Sequence, residues 1–276
     1  MTNFLMIKHI PKAGFFSCCF VRLNEIINFF NTRHKLPDKV FGNDFFQFCK
    51  TPQTVKDDYT NYFFIEEKTM NLDIPYKTPI QMSDSEEELQ LSDYGKINFK
   101  KLTPFIERYF TPSKEVFEKV SFLKKKYNFI PSHFCLIRYR GTDKILETNK
   151  PKYDDFIAKV QTYRFQNPHI QYVILTDEYD FLVKFKKYFP ETILFKETAQ
   201  KINTVDAAQW YLASVYLLAQ CRNIICTSGN GELFLSLYRG GADGVTQYLN
   251  RKEYIYNVKN IHYKPVENSE EYWIEN

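Results

Sequence analysis

The six cysteines of this 276-residue chain, at 18, 19, 49, 135, 221 and 226, include no CxxC pair. Several sit inside apolar runs, where cysteine behaves as a small hydrophobe. That argues against a disulfide framework or a zinc site and for a reducing compartment. No Asn-x-Ser/Thr sequon occurs, which points the same way. Long apolar runs are missing too: Arg22, Asn24 and Glu25 interrupt the stretch that begins GFFSCCFV, well short of a membrane-spanning length. A soluble, cytoplasmic chain without a transmembrane segment is therefore expected. Neither sign of charge is in large excess. A net charge of +4 calls for no nucleic acid partner and leaves room for small anionic ligands. There is no internal repeat or low-complexity tract. The five histidines show no ligand spacing, so no metal is expected, and no Ser/His/Asp or Cys/His arrangement can be assembled.

What is present belongs to a globular protein, with 44% hydrophobic and 25% charged residues and enough length for one large domain or two medium ones. Many Phe, Tyr, Lys and Asn residues are also what a low-GC genome produces, so an aromatic cluster alone carries little weight. FLMIKHI (4–10) reads as a strand, Pro11 to Gly14 as a turn, and Ser17 as the cap of a helix ending near His34. KVFG and NYFFIEE read as short strands, and the acidic run 83–93 as a solvated loop. Thr111 as N-cap and Pro112 as first helical residue open a helix over 112–127 with Val116, Val120 and Leu123 buried. This helix links an N-terminal half, 1–128, to a C-terminal half, 129–276. Beyond it, the strands HFCLIRY, YVILTD, TILF and NIICT each lead into a helical pattern. Four β–α units with nearly continuous apolar strands predict a parallel, doubly wound sheet covered on both faces. Ligands of such sheets gather at the carboxyl ends of the strands.

The stretch CLIRYRGTDK (135–144) puts Arg138, Arg140, Thr142, Asp143 and Lys144 at such an end, with Arg138 and Arg140 on one side by alternation. A guanidinium suits bidentate phosphate recognition and a nearby lysine adds a point charge. The competing reading is an Arg–Asp pair that pins the strand end. In TSGNGELFLSLYRG, the turn Thr227, Ser228, Gly229, Asn230, Gly231 lies between a strand and a helix, where free N–H groups face an anion. It lacks the third glycine of the dinucleotide fingerprint, so an NAD site is a poor fit. Gly14, Phe15, Phe16 and Ser17 repeat the strand–helix junction in the other half, which suggests a cleft between halves. TDEYD (176–180) reads as a helix cap rather than a metal cluster, and Trp210 and Tyr211 as core.

The early AGFFSCC, the linker helix, RYRGTDK, ILTDE and the segment LASVYLLAQCRNIICTSGNGELFLSLYRG, in this order, resemble the GDP-fucose-dependent fucosyltransferases of the α1,6 and protein O-fucosyltransferase group. The likeness is good over roughly 100–240 and loose over the first 40 residues. It implies a GT-B fold, two Rossmann-like domains facing a cleft, and metal-independent inverting transfer of fucose from GDP-fucose to a sugar hydroxyl of a glycan. Arg140 matches the family arginine that holds the donor pyrophosphate, and Ser228 to Gly231 would assist it while Gly14 to Ser17 approach from the N-terminal domain. The chain departs from the family at Arg138, which replaces a histidine, and at Gly141, which replaces the second arginine. Ser214 falls near an aspartate that helps read the base. The family glutamate stands four residues past its lysine, whereas Glu147 is three past Lys144; Glu147 is the candidate base, with Asp143 as orienter or substitute. The departures keep two alternatives open, a different nucleotide-sugar donor and a non-catalytic nucleotide- or glycan-binding module.

Overall fold

The computed structural model describes residues 3–9, 13–49, 58–66, 80–81, 89–142, 150–198, 202–249, 252–257, 260–265 and 272–276. The chain starts with one parallel β–α–β unit. Strand β1 (Phe4–Met6) pairs with β2 (Lys39–Phe41) in the register Leu5 to Val40, and α1 (Phe15–Arg33) connects them. Helix α1 begins earlier than its sequence suggests. Gly14 is the N-cap and Ser17 lies within the first turn, because Phe15 and Phe16 are both drawn into the core. His34, in the left-handed region at φ 52°, ends it by donating its N–H to the Phe30 carbonyl.

Strand β3 (Phe64–Ile65), helix α2 (Phe99–Tyr109) and strand β4 (Thr111–Pro112) follow, with β3 and β4 antiparallel. The linker helix, α3 (Lys114–Lys126), starts two residues later than expected. Ser113, not Thr111, is its N-cap, accepting the Val116 N–H at 3.3 Å, while Thr111 and Pro112 are held against Phe64 and Ile65. Val116 and Leu123 are buried as expected, and α3 packs along α6, described below.

The C-terminal half is the expected sheet. Strand β5 (Phe134–Tyr139), α4 (Tyr153–Gln166), β6 (Gln171–Thr176), α5 (Tyr179–Tyr188), β7 (Ile193–Leu194), α6 (Val205–Leu218), β8 (Asn223–Thr227) and α7 (Asn230–Arg239) alternate along the chain. Strand β9 (Val245–Leu249) extends the sheet, β10 (Lys252–Asn257) and β11 (Asn260–Pro265) form a separate hairpin, and β12 (Tyr272–Glu275) returns to the edge. The order in space is β12-β9-β8-β5-β6-β7, parallel apart from β12.

Both faces are covered, which is why the strands read as unbroken apolar runs. Along β5, Phe134 and Leu136 join the core that also holds α6 and α7, while Cys135, Ile137 and Tyr139 join the core of α4 and α5. The α6–α7 core continues into the N-terminal half, where Phe16 lies 5.0 Å from Phe234. All six cysteines are free and buried, and burial pushes the Cys18 and Cys49 thiols up to about 11.

Candidate functional site

The chain steps outward from β5 to β6 and β7, then returns through α6 to place β8 on the other side of β5. The carboxyl ends of β5 and β8 therefore flank the point where the sheet reverses its winding, the usual ligand crevice of an open α/β sheet. One hydrogen bond ties the two ends together: the Arg140 N–H donates to Thr227 Oγ1 at 3.2 Å.

Asp177, just past β6, holds the rest of the β5 turn. Its carboxylate accepts the Gly141 N–H at 3.1 Å and the Thr142 hydroxyl at 2.8 Å, and Oδ2 lies 3.6 Å from Arg140 Nε. The Arg–Asp pair at the strand end thus exists, with the Arg140 side chain still partly open beside the crevice. Asp177 does not cap α5, as TDEYD suggested, because its oxygens are spent on the neighbouring strand. The next residue, Glu178, is buried and takes Lys150 Nζ at 2.5 Å and the Tyr153 hydroxyl. A Cβ at Gly141 would lie 2.0 Å from Glu178 Oε1. Glu178 is pinned from two sides, so position 141 has room only for glycine.

Arg138 occupies a core position on the α6–α7 face and is only 3% exposed. Its Nε donates to Glu232 Oε1 at 2.8 Å, Nη2 to the Tyr211 hydroxyl at 2.6 Å and Nη1 to the Leu175 carbonyl at 3.4 Å. Burial alone would weaken its hold on the proton; Tyr211 and Glu232 more than offset this and keep it charged. Glu232, in the first turn of α7, is 1% exposed. Arg138 therefore ties β5 to α7 from inside, with each of its three nitrogens donating to a protein acceptor.

The turn at 227–231 is built as a helix start. Gly229 is the N-cap of α7 and no side chain caps the helix, so the N–H groups of Asn230, Gly231 and Glu232 have no acceptor within it. Gly229 itself is occupied: its N–H donates to the Tyr94 hydroxyl at 3.0 Å, and that hydroxyl donates to its carbonyl at 3.0 Å. Burial pushes the Tyr94 hydroxyl well above its ordinary pKa, which keeps the donating proton on. Ser228 is likewise engaged. Its Oγ donates to the Tyr248 carbonyl at 2.8 Å and accepts from Gln247 Nε2 at 2.9 Å, and Gln247 also binds the Ser92 carbonyl and the Tyr94 N–H. The N–H groups of the turn without an acceptor in the helix are thus those of its helical side, residues 230–232.

The two strand–helix junctions meet. Asn230 Nδ2 donates to Ser17 Oγ at 3.0 Å, and a Cβ on Gly231 would stand 3.2 Å from the Phe16 ring and 3.3 Å from Arg138 Nη2. Glycine at 231 is what lets α1 approach so closely. Gly14 lies one residue outside this contact, while Phe15 packs away from it against Phe45 and Phe63. Ser214 is apart from the group, fully buried and donating to the Tyr211 carbonyl of its own helix. Asp143, Lys144 and Glu147 lie outside the described residues, as do Pro11 and Lys12 and residues 83–88 of the acidic run.

Sequence reasoning missed Glu232, Tyr94, Gln247 and the double role of Asp177 and Glu178. An acidic residue in the first turn of α7 was a visible signal for Glu232. Tyr94 and Gln247 meet across 153 residues of chain, and nothing local announces them. Among the described residues, no group of three or more His, Cys, Asp or Glu side chains could hold a metal ion, and no helix is long and apolar enough to cross a membrane.

Neither a protein-family model nor any curated protein sequence matches the chain. Solved structures do. The fucosyltransferase NodZ from Bradyrhizobium superimposes with a TM-score of 0.55 over 90% of this chain and 95% of its own, at 10% identity. Its selenomethionine form gives 0.50 over 100% and 99%, at 11% identity. The fold is GT-B-like. It has two α/β units, and the α1–α7 contact at Ser17 and Asn230 lies where they meet. Against a NodZ α-1,6-fucosyltransferase co-crystallized with GDP, the chain spans only about half the length, 48%, at 12% identity.

Proposed function

We infer that the chain is a glycosyltransferase that moves a sugar, fucose in the favoured reading, from a nucleoside diphosphate donor, GDP-fucose, to a hydroxyl of a glycan. The observation that carries this is Arg140: a partly open guanidinium at the winding reversal of the sheet, its own N–H fixed on Thr227, next to the uncapped start of α7. As the bond from the sugar to the diphosphate breaks, negative charge grows on the leaving group. In this reading Arg140 and the N–H groups of residues 230–232 stabilise that charge most in the transition state. Asp177 holds the Arg140 turn in position, and Ser17 with Asn230 closes the N-terminal side. In this reading Glu147 takes the proton of the acceptor hydroxyl, with Asp143 as orienter or substitute and Lys144 beside them. No metal is invoked. The ordered motifs shared with the fucosyltransferase group and the GT-B-like fold support the reading.

A second donor is favoured by one specific observation. Arg138 and Ser214, which stand where that group reads its base, are both committed to internal hydrogen bonds. A thermal-shift and donor-hydrolysis screen of guanosine, uridine, adenosine and cytidine diphosphates and their sugars separates the possibilities. A nucleotide present at about one hundred times its Kd stabilises by about 2.7 kcal/mol, a rise of roughly 5–10 °C for a chain of this size. GDP and GDP-fucose are expected to give that rise. Stabilisation by uridine nucleotides alone would replace the donor, and hydrolysis of no donor, with or without acceptors, would make the protein a binding module.

A further inference from the structure

The N-terminal β–α–β unit has a hollow of its own. About 320 Å³ in volume, it opens at the carboxyl edge of β1 and β2 and is lined by Met6, Ile7, Lys8, Phe41, Asn43 and Asp44. This lies near the lower end of the range of small-ligand sites, roughly 300–1,000 Å³, enough for one ring rather than a chain. One wall is apolar, formed by Phe41, Ile7 and Met6, the last 80% exposed. The rim carries Lys8, Asn43 and Asp44.

Asp44 is not a loosely held surface carboxylate. Its Oδ2 accepts the His9 backbone N–H at 3.1 Å and its Oδ1 lies 2.9 Å from His9 Nδ1. The imidazole is 2% exposed and wedged edge-on to Phe45 at 5.2 Å, with its Cε1 2.8 Å from where a Gly42 Cβ would stand. Burial lowers the His9 pKa against the pull of Asp44. The ring is therefore neutral, with its Nδ1 proton donated to the carboxylate. Asp44 is locked in direction and remains 28% exposed. Each of its oxygens has one bond from His9 and lone pairs left over.

A fixed acceptor-only carboxylate beside an apolar wall discriminates among ligands. With Lys8 on the same rim the hollow has no surplus of cations to hold a phosphate or carboxylate, one carboxylate offers too few oxygens for a hard cation, and an all-apolar ligand would leave Asp44 desolvated and unpaired. A neutral polyhydroxyl ring satisfies every part: two neighbouring hydroxyls donate to Asp44, its oxygens face Lys8 and Asn43, and its C–H face lies on Phe41 and Met6. We propose that this hollow, with Asp44 oriented by His9, is a subsite for a single neutral sugar ring of the glycan acceptor. The assignment rests on the glycosyl-transfer reading above.

The test is saturation-transfer NMR of the full chain with the methyl glycosides of glucose, galactose and mannose at millimolar concentration, alongside the thermal shift given by GDP. At least one hexoside is expected to receive saturation at its ring C–H protons. Asp44→Asn is expected to weaken its binding at least tenfold. Met6→Ser, on the exposed wall, is expected to weaken it several-fold without disturbing the fold, so it remains decisive should Asp44→Asn unfold the β1–β2 unit. Neither variant should alter the GDP shift. Absence of binding by all three hexosides, binding indifferent to Met6→Ser, or preference for a uronic acid or sugar phosphate overturns the subsite. A missing GDP shift together with hexoside binding that depends on Asp44 overturns the donor reading instead.

Discussion

Replacing Arg140 by alanine is expected to abolish the thermal stabilisation given by GDP or GDP-fucose and to lower sugar transfer by on the order of 10²–10³-fold, the usual effect of deleting one fixed donor to a developing oxyanion. The unliganded protein is expected to lose less: the Arg140–Asp177 contact is long, at 3.6 Å between side chains 20% and 26% exposed, and the bond to Thr227 comes from the Arg140 backbone N–H, which alanine keeps. Arg140→Lys keeps the charge but loses the planar fork, and an intermediate loss is expected. Thermal-shift titration and initial-rate assays on the three proteins check this. Undiminished stabilisation by GDP in Arg140→Ala would remove the residue from the site.

Arg138 is expected to behave in the opposite way. Arg138→Met leaves Glu232 in the core without its cation, and breaking one side of a buried pair costs about 3–5 kcal/mol. For a chain of this size that lowers Tm by on the order of 10 °C. Adding Glu232→Leu removes the stranded carboxylate, and most of the loss is expected to return, because a well-packed apolar replacement of a buried pair is often neutral. Thermal and urea unfolding of the single and double variants measure both steps. An Arg138→Met protein with unchanged Tm and lost GDP binding would show that the residue serves the donor, as its place in the motif implies, rather than the core.

The contrast between these two arginines shows where the sequence is legible. The strand under them, its position in a doubly wound sheet and the helix start at 229–231 all follow from local pattern, because a strand buried on both faces has no polar residue until its end. Alternation also puts Arg138 on the face of Phe134 and Leu136, the α6–α7 side, as found. What alternation cannot reveal is depth. Arg138 lies inside the core, and the arrival of Tyr211 from α6 and Glu232 from α7, 73 and 94 residues later, makes that tolerable. The same holds for Gln247, a polar residue in the middle of β9 that is fully buried yet satisfied by Ser92, Tyr94 and Ser228. Helix α2 was hidden differently: Pro104 sits inside it, and proline is the strongest local signal against a helix interior. Its apolar stripe, Phe99, Leu102, Phe105, Ile106 and Tyr109, packs against α1 and α7 and outweighs that cost. The start of TDEYD misled because Asp177 serves the neighbouring strand, a partner that strand order determines and sequence order does not.

The most direct test of the central claim, a nucleoside diphosphate held at the carboxyl ends of β5 and β8, is hydrogen–deuterium exchange of the full chain with and without saturating GDP. Slower exchange is expected in peptides spanning Arg138–Thr142 and Thr227–Leu233, with the first turn of α1 following. Unchanged exchange there, or protection confined to the hollow of about 780 Å³ at the opposite, amino edge of β6 and β7 around His169 and Tyr188, would contradict it.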